Sequence, residues 1–546
     1  MTDESALTVR DGLAALTLAV TLLFMGGERM VPGVVGSFHD DAVYAATAKA
    51  LAEGSGYRLI TFPGAPPQTK YPILYPAVLA VVWRCVAGLS AKLAAMQVAT
   101  LLAAALAIAG AYLYVVRFRY VARAPAFAAG IVCASSPNLL YYATQTLSEM
   151  PFALTLVASL WATDVYVRAT RADPWRALMT GLVAGLPFLC RSAGVVVPLV
   201  ALAMAARARR PLGWMLLGVA LATLPWIAWT LLGVGNVGAE PIAGYQEDYV
   251  RLVARGYGAA TGSRLAATPA ILGSNLVRAC VAIGDIAGEG VARLLYAATE
   301  RAAIVLGLVG AAAWLAVATR GARTLLPATL LAYLILVCAW PWPPDRFMVP
   351  VLFLLLALAI DAAWRTMSRV ASVHVVTAVL SLVVLLNARV LADYARVGRA
   401  THYPYFILPD LAEPAGWATW ASYAKAFAWL GTHSTSDTVL AAGFDSMTAL
   451  YTGRPTVRPF VPRPSALYYA RETGDDAPPL GTPEDLARAL ATYHVRYLFV
   501  SPMPAFPEED AFFELITRIR AERPALLRPV YWEQDPRFVV FEVTGP

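Results

Sequence analysis

Charge is what this sequence has least of. Asp, Glu, Lys and Arg make up 14% of its 546 residues, against 59% hydrophobic. A water-soluble protein of that length cannot cover its surface with so few charges, so an ordinary soluble enzyme is excluded. Cysteine is also scarce. The five (Cys85, Cys133, Cys190, Cys280, Cys338) fall mostly in apolar runs with no metal-type spacing, and none follows Cys338. An exported C-terminal domain would therefore fold without disulfides. His374, His402, His433 and His494 show no ligand spacing. No basic segment precedes the first apolar run, which reads as an uncleaved anchor. A glycine-rich phosphate loop and an aromatic–basic RNA motif are both missing, so nucleic acid is not an expected partner.

What is there is a succession of apolar runs of about 20 residues, the length that crosses a bilayer. Arginines cluster in the short connections between them, the footprint of loops beside anionic lipid. On that rule the spans are 12–31, 93–116, 125–142, 151–167, 212–232, 302–318, 325–340, 347–363 and 373–391. Segment 177–206, basic at both ends, reads as a hairpin of two short helices with Arg191 and Ser192 at its apex. Segment 73–89 carries Arg84 and reads as a helix lying along the outer face. Residues 233–300 read as a long outer loop, and WPWPPDR (340–346) as a tight outer turn. About eleven crossings result, with a cytoplasmic N-terminus. The odd number puts the first loop and the tail after 392 on the same outer face. Residues 1–392 are then a transmembrane domain. Residues 393–546 have soluble composition, and their strand and helix patterns alternate (strands at 438–443, 456–460, 495–501 and 538–543), as expected of a small α/β domain.

The polar stretch SFHDDAVYAATAKALAEGSGYRLITFPGAPPQTKYPILYP (37–76) interrupts this pattern first. Asp40 and Asp41 open an amphipathic helix there, and carboxylates so placed serve as a general base or hold a divalent ion (Mg or Mn). An Asp before a helix also serves as an N-cap. Lys70, at the outer boundary, suits a lipid phosphate or simply snorkels. Glu149, in a short outer loop, is an acceptor-orienting acid, a metal ligand or a helix cap. Arg191 lies deep in an apolar hairpin, where a guanidinium is costly and pairs with an anion; lipid phosphate suits its two-pronged fork. Asp345 and Arg346 form another outer turn, either as acceptor or metal ligand and phosphate ligand, or as a salt-bridged turn.

HDDAVYAATAKALAEGSGY, KYPILYPAVLAVVWR, TLSEMP, GLPFLCRSAGVVVP and PPDRFMVPVLFLLLALA, in that order over residues 10–365, resemble the GT-C superfamily of membrane glycosyltransferases. The nearest type is the protein O-mannosyltransferase, aminoarabinose transferase and RgtA/B/C/D-like group. The resemblance implies an α-helical polytopic membrane protein with juxtamembrane helices on the outer face and a small C-terminal α/β domain. It implies inverting transfer from a polyprenyl-phosphate-linked sugar to a glycan, lipid or protein acceptor outside the bacterial inner membrane. By it, Asp40 and Asp41 fall on the first-loop acids, Lys70 and Arg191 near donor phosphate, Glu149 on the second-loop acid and Arg346 before a late span. A lipid-diphosphate-dependent polymerase or ligase, and a lipid or glycan transporter, are the competing expectations.

Overall fold

The computed structural model describes residues 7–171, 173–233, 268–366, 370–460, 480–504 and 506–544. Among them eight helices are long and apolar enough to cross a membrane: Val9–Arg29, Leu89–Arg117, Glu149–Arg168, Gly213–Gly233, Thr268–Ala287, Ala302–Arg320, Asp345–Thr366 and His374–Thr401. A helix of 20 residues runs about 30 Å, the thickness of a bilayer core. Shorter apolar helices, Leu74–Cys85, Arg123–Ser135, Ser192–Arg207 and Leu325–Cys338, fill in between. Small residues let backbones touch. Gly181 of helix Pro174–Cys190 lies so close to the backbone of Met215 and Gly218 in Gly213–Gly233 that neither glycine has room for a Cβ, the usual device where apolar burial cannot drive helix association.

The helix ends carry the ion pairs. At one end Arg123 holds Asp11 at 2.7 Å, Tyr114, Tyr120 and Arg168 converge on Asp164, and Arg320 and Arg365 share Asp361. Asp11 opens the helix whose other end is Arg29, and Asp361 lies near the end of the helix that Asp345 opens. The opposite end of the bundle therefore gathers the residues after Arg29 and around Asp345.

Segment 73–89 contains the 12-residue helix Leu74–Cys85, too short to span. The expected hairpin is present: helix Pro174–Cys190, then Arg191 in extended conformation, then Ser192–Val195 and Val196–Arg207. The expected loop 233–300 is corrected. Its second half forms the helices Thr268–Ala287 and Glu289–Ala298, and 234–267 lies outside the described residues. Asn275, Arg278 and Asp285 make that run look like a loop. In the fold, Asn275 donates to the carbonyls of Cys338 at 3.1 Å and Trp340 at 2.7 Å, which removes the cost of carrying it inside. Helix Val370–Thr401 runs unbroken through residue 392 and joins the bundle to the C-terminal part of the chain.

That C-terminal part is a five-stranded mixed sheet in the order β2-β1-β3-β5-β4, from β1 Leu440–Ala442, β2 Thr456–Val457, β3 Tyr497–Val500, β4 Leu527–Trp532 and β5 Val539–Val543. β1 pairs parallel with β2 and β3, and β5 pairs antiparallel with β3 and β4. This domain sits directly on the first loop. The Tyr451 hydroxyl accepts from the Val35 amide at 3.0 Å and donates to the Gly33 carbonyl at 3.2 Å. The Thr456 amide donates to the Thr61 carbonyl at 2.7 Å, and Phe506 packs on Phe38.

Candidate active site

Three helix beginnings meet under that domain. Asp40 opens Asp40–Ala52, an alanine-rich helix that Gly54 and Gly56, both at positive φ, bring to an end. Glu149 opens Glu149–Arg168, and Arg346 is the second residue of Asp345–Thr366. Carboxylates in a first helical turn are favoured by the aligned peptide dipoles, and the same positive ends suit an incoming anion.

The side chains form one connected cluster. Arg346 donates from Nη1 to Asp40 Oδ2 at 2.7 Å and from Nε to Glu149 Oε1 at 2.8 Å, with Nη2 2.7 Å from the same Glu149 oxygen. Arg191 Nη1 donates to the same Glu149 oxygen at 2.5 Å and to Ser148 Oγ at 3.0 Å. Tyr44 also donates to Ser148 Oγ, at 2.8 Å, and Tyr71 donates to Asp40 Oδ1 at 2.7 Å. The Arg346 guanidinium lies 4.9 Å from the Phe38 ring centroid and that of Arg191 5.2 Å from Phe347. Glu149 is wholly buried, and its Oε2 has no hydrogen-bond partner among the described residues. Arg191 commits only Nη1 to the hydrogen bonds of the described residues.

The adjacent acids behave differently. Burial would raise the Asp40 carboxyl, but Arg346, with His39 and Lys70 behind it, holds it well below the usual carboxylate range. Asp40 is thus an ionised carboxylate beside a cation. Asp41 is buried with no exposed surface and accepts from the Gly36 amide at 2.6 Å and the Ala42 amide at 3.0 Å. For Asp41 burial prevails over those amides and pushes the carboxyl up to about 6. Its oxygens are spent on closing the turn that presents Asp40.

Lys70 stands at the edge, partly exposed, 5.4 Å from the Tyr71 ring centroid and near enough to act on Asp40. Asp345, next to Arg346 in sequence, is exposed. Its electrostatic neighbours are Arg278 and Asp285 of helix Thr268–Ala287, and no described hydrogen bond joins it to Asp40 or Glu149. Tyr71, Ser148 and Tyr44 escape a sequence reading because neutral polar residues are ordinary at a membrane face. His39 stands beside the acid pair in the sequence, but its partner, Asp445, does not. The divalent ion has no fitting donor set: among the described residues no three His, Cys, Asp or Glu side chains converge as ligands, and the Asp40 and Glu149 oxygens that make contacts are held by arginine and tyrosine.

No protein-family model matches the sequence, and no curated protein does. Solved structures do match along nearly the whole chain. ArnT from Cupriavidus metallidurans bound to undecaprenyl phosphate superposes with a TM-score of 0.51 over 98% of both chains at 14% identity. The Archaeoglobus fulgidus oligosaccharyltransferase tethered to an acceptor peptide gives 0.50 over 97% of this chain and 74% of that one, at 12% identity. The same oligosaccharyltransferase with Zn and sulfate gives 0.51, over 96% and 72%. These likenesses show a shared fold: the helical bundle and C-terminal domain of this chain superpose along ArnT and the oligosaccharyltransferase, the fold expected from the GT-C resemblance.

Proposed function

We propose that the protein is an inverting glycosyltransferase that moves a sugar from a polyprenyl-phosphate-linked donor to a hydroxyl of an acceptor on the outer face of the bacterial inner membrane. The observation that carries this reading is the joining of buried Glu149 and Arg191 with half-buried Asp40 and Arg346 into one cluster beneath the C-terminal domain. Asp40 is the base. It takes the proton of the acceptor hydroxyl as that oxygen bonds to the anomeric carbon. The bond from that carbon to the phosphate oxygen breaks, and its electron pair leaves with the polyprenyl phosphate. Arg346, Arg191 and Lys70 meet the charge that grows there. Fixed cations in a site shielded from water stabilise such charge most, and one donor of this kind is worth about 3 kcal/mol. The unspent nitrogens of Arg191 suit phosphate. Glu149 keeps two guanidiniums in register, and its unpaired Oε2 suits a sugar hydroxyl, which would satisfy it. Asp41 is the brace of the turn, not a second base. The likeness to ArnT, a structure holding undecaprenyl phosphate, supports a monophosphate carrier over a diphosphate.

The test is sugar transfer by the purified protein from labelled polyprenyl-phosphate sugars, with mass spectrometry of co-purified lipid. Wild type transfers, and Asp40→Asn, correctly folded, loses about a thousandfold or more in rate, the scale of losing a positioned general base. Unchanged transfer by Asp40→Asn overturns the role of Asp40. Co-purified lipid diphosphate that serves as donor overturns the monophosphate reading.

A further inference from the structure

The cluster of Asp40, Glu149, Arg191 and Arg346 belongs to the membrane helices and the first loop. One contact into it comes from elsewhere. His39 Nε2 meets Asp445 Oδ1 at 2.5 Å, both side chains buried, and the other ring nitrogen, Nδ1, lies 3.9 Å from Asp40 Oδ1. Asp445 is the first residue of helix Asp445–Thr452, directly after β1, so it is fixed by the sheet of the C-terminal domain. Arg458, which donates to the Gly443 carbonyl at 3.2 Å, stands 3.6 Å from the same Asp445 oxygen, with the buried acid Glu508 nearby. His39 has φ +71° and ψ −62°, a conformation that costs a non-glycine residue about 1–3 kcal/mol unless the surroundings impose it. The residue after it is Asp40.

We infer that Asp445 is a positioning residue for the transfer reaction: through His39 it fixes where the Asp40 carboxylate stands, so that the seated C-terminal domain completes the site. This rests on the glycosyl-transfer reading of the site. A base must lie within about 3 Å of the oxygen whose proton it takes, and a misplacement of about 1 Å costs on the order of a hundredfold. No described hydrogen bond ties Asp40 itself to the C-terminal domain: the link runs through His39, its neighbour in the chain, whose Nδ1 stands 3.9 Å away, while Tyr71 and Arg346, which hold the Asp40 oxygens, belong to the first loop and the bundle. The bland alternative is a latch, in which the Asp445–His39 pair merely fastens the domain. The latch has independent members: the Tyr451 hydroxyl on Val35 and Gly33, and the Thr456 amide on Thr61, neither of which touches His39.

The experiment is transfer kinetics of Asp445→Asn, His39→Gln, the double variant and Tyr451→Phe in lipid nanodiscs, with a thermal melt of each. Asp445→Asn lowers kcat about 10- to 100-fold with donor KM unchanged, because an interaction felt in the transition state is lost. His39→Gln does the same. The double variant is no worse than either single one, because Asp445 acts through His39. Tyr451→Phe keeps kcat within about twofold while melting lower, the mark of the latch alone. Three results overturn the inference: Asp445→Asn equal to wild type, losses that multiply in the double variant, or a Tyr451→Phe loss as large as that of Asp445→Asn. Should Asp445→Asn fail to fold, His39→Gln with unchanged kcat overturns it as well. A wild type that transfers sugar from no polyprenyl-phosphate donor sinks the underlying reading instead, which separates the two failures.

Discussion

Arg346 reaches across 306 positions of sequence to donate to Asp40 at 2.7 Å, and the same guanidinium holds Glu149. One cation thus spaces two acids that would otherwise repel, and in the proposed reaction it would also meet the leaving phosphate. Arg346→Ala takes the shared cation from both carboxylates, leaving Arg191 on Glu149 and Tyr71 on Asp40. It should lower stability by at most about 3 kcal/mol, the low end of the cost of removing one partner from a fully buried ion pair, because the pair is partly exposed and each acid keeps a second partner, and lower kcat about 10²- to 10³-fold. Arg346→Lys separates the two effects. A lysine keeps the charge but cannot fork to two acids at once, so it should recover most of the melting temperature and little of the rate. Equal recovery of both would show that charge alone suffices.

Glu149 receives two arginines on one oxygen. Glu149→Gln leaves Arg191 and Arg346 with a single carboxylate, Asp40, between them. The variant should melt lower than wild type. An added polyprenyl phosphate then supplies the missing negative charge, and stabilisation by a ligand that binds only the folded state grows with its affinity. The expected outcome is a larger upward shift of the melt with polyprenyl phosphate for Glu149→Gln than for wild type, while transfer is impaired. A smaller shift would place the phosphate away from these arginines.

Asp41 gives a pH signature of defined sign. Its folded-state value is raised to about 6, so folding favours the protonated carboxyl. That contribution is complete below the unfolded value near 4 and disappears as pH rises through about 6. A shift of about two units corresponds to about 3 kcal/mol at most. Between pH 4 and 7 the stability of wild type should therefore fall relative to Asp41→Asn, which carries no titrating group there. Parallel stability curves for the two proteins would show that Asp41 does not titrate in that window. Transfer by Asp41→Asn should stay within a few-fold of wild type, because its oxygens face backbone amides.

Much of this site is legible in the sequence because charge inside an apolar chain is expensive and so conspicuous. Asp40 and Arg191 stand out on that ground, Glu149 and Arg346 read as readily as a helix cap and a salt-bridged turn, and the break at Arg191 follows from basic residues at both ends of a run too short to cross twice. What joins them does not stand out. Tyr71, Ser148 and Tyr44 are neutral and common, and the pairing of His39 with Asp445 spans 406 positions with no local pattern to mark it. The same logic explains helix Thr268–Ala287. Asn275, Arg278 and Asp285 disguise an apolar helix as a loop because the groups that surround them come from other helices. Strand β4, an edge strand with Arg528 and Pro529 exposed, lacks the alternation that signals a strand, as sheet edges commonly do.

The seating of the C-terminal domain depends on one small residue. Gly36 has φ +120°, and a Cβ there would overlap the Met447 side chain, so alanine fails on both conformation and space. The Gly36 amide also donates to Asp41. Gly36→Ala should therefore push the domain off the first loop and loosen the turn that presents Asp40. Transfer should fall by tenfold or more, and protease cleavage should increase around residues 403–406, which are buried or half-buried in the folded chain. Trimming Met447 to alanine in the same chain opens the space but leaves the strained φ, which costs a non-glycine residue about 1–3 kcal/mol. The double variant should recover the protease resistance in part and the activity less. Full recovery of both would show that crowding by Met447 was the whole effect, and no loss in Gly36→Ala would show that the domain does not need this close approach.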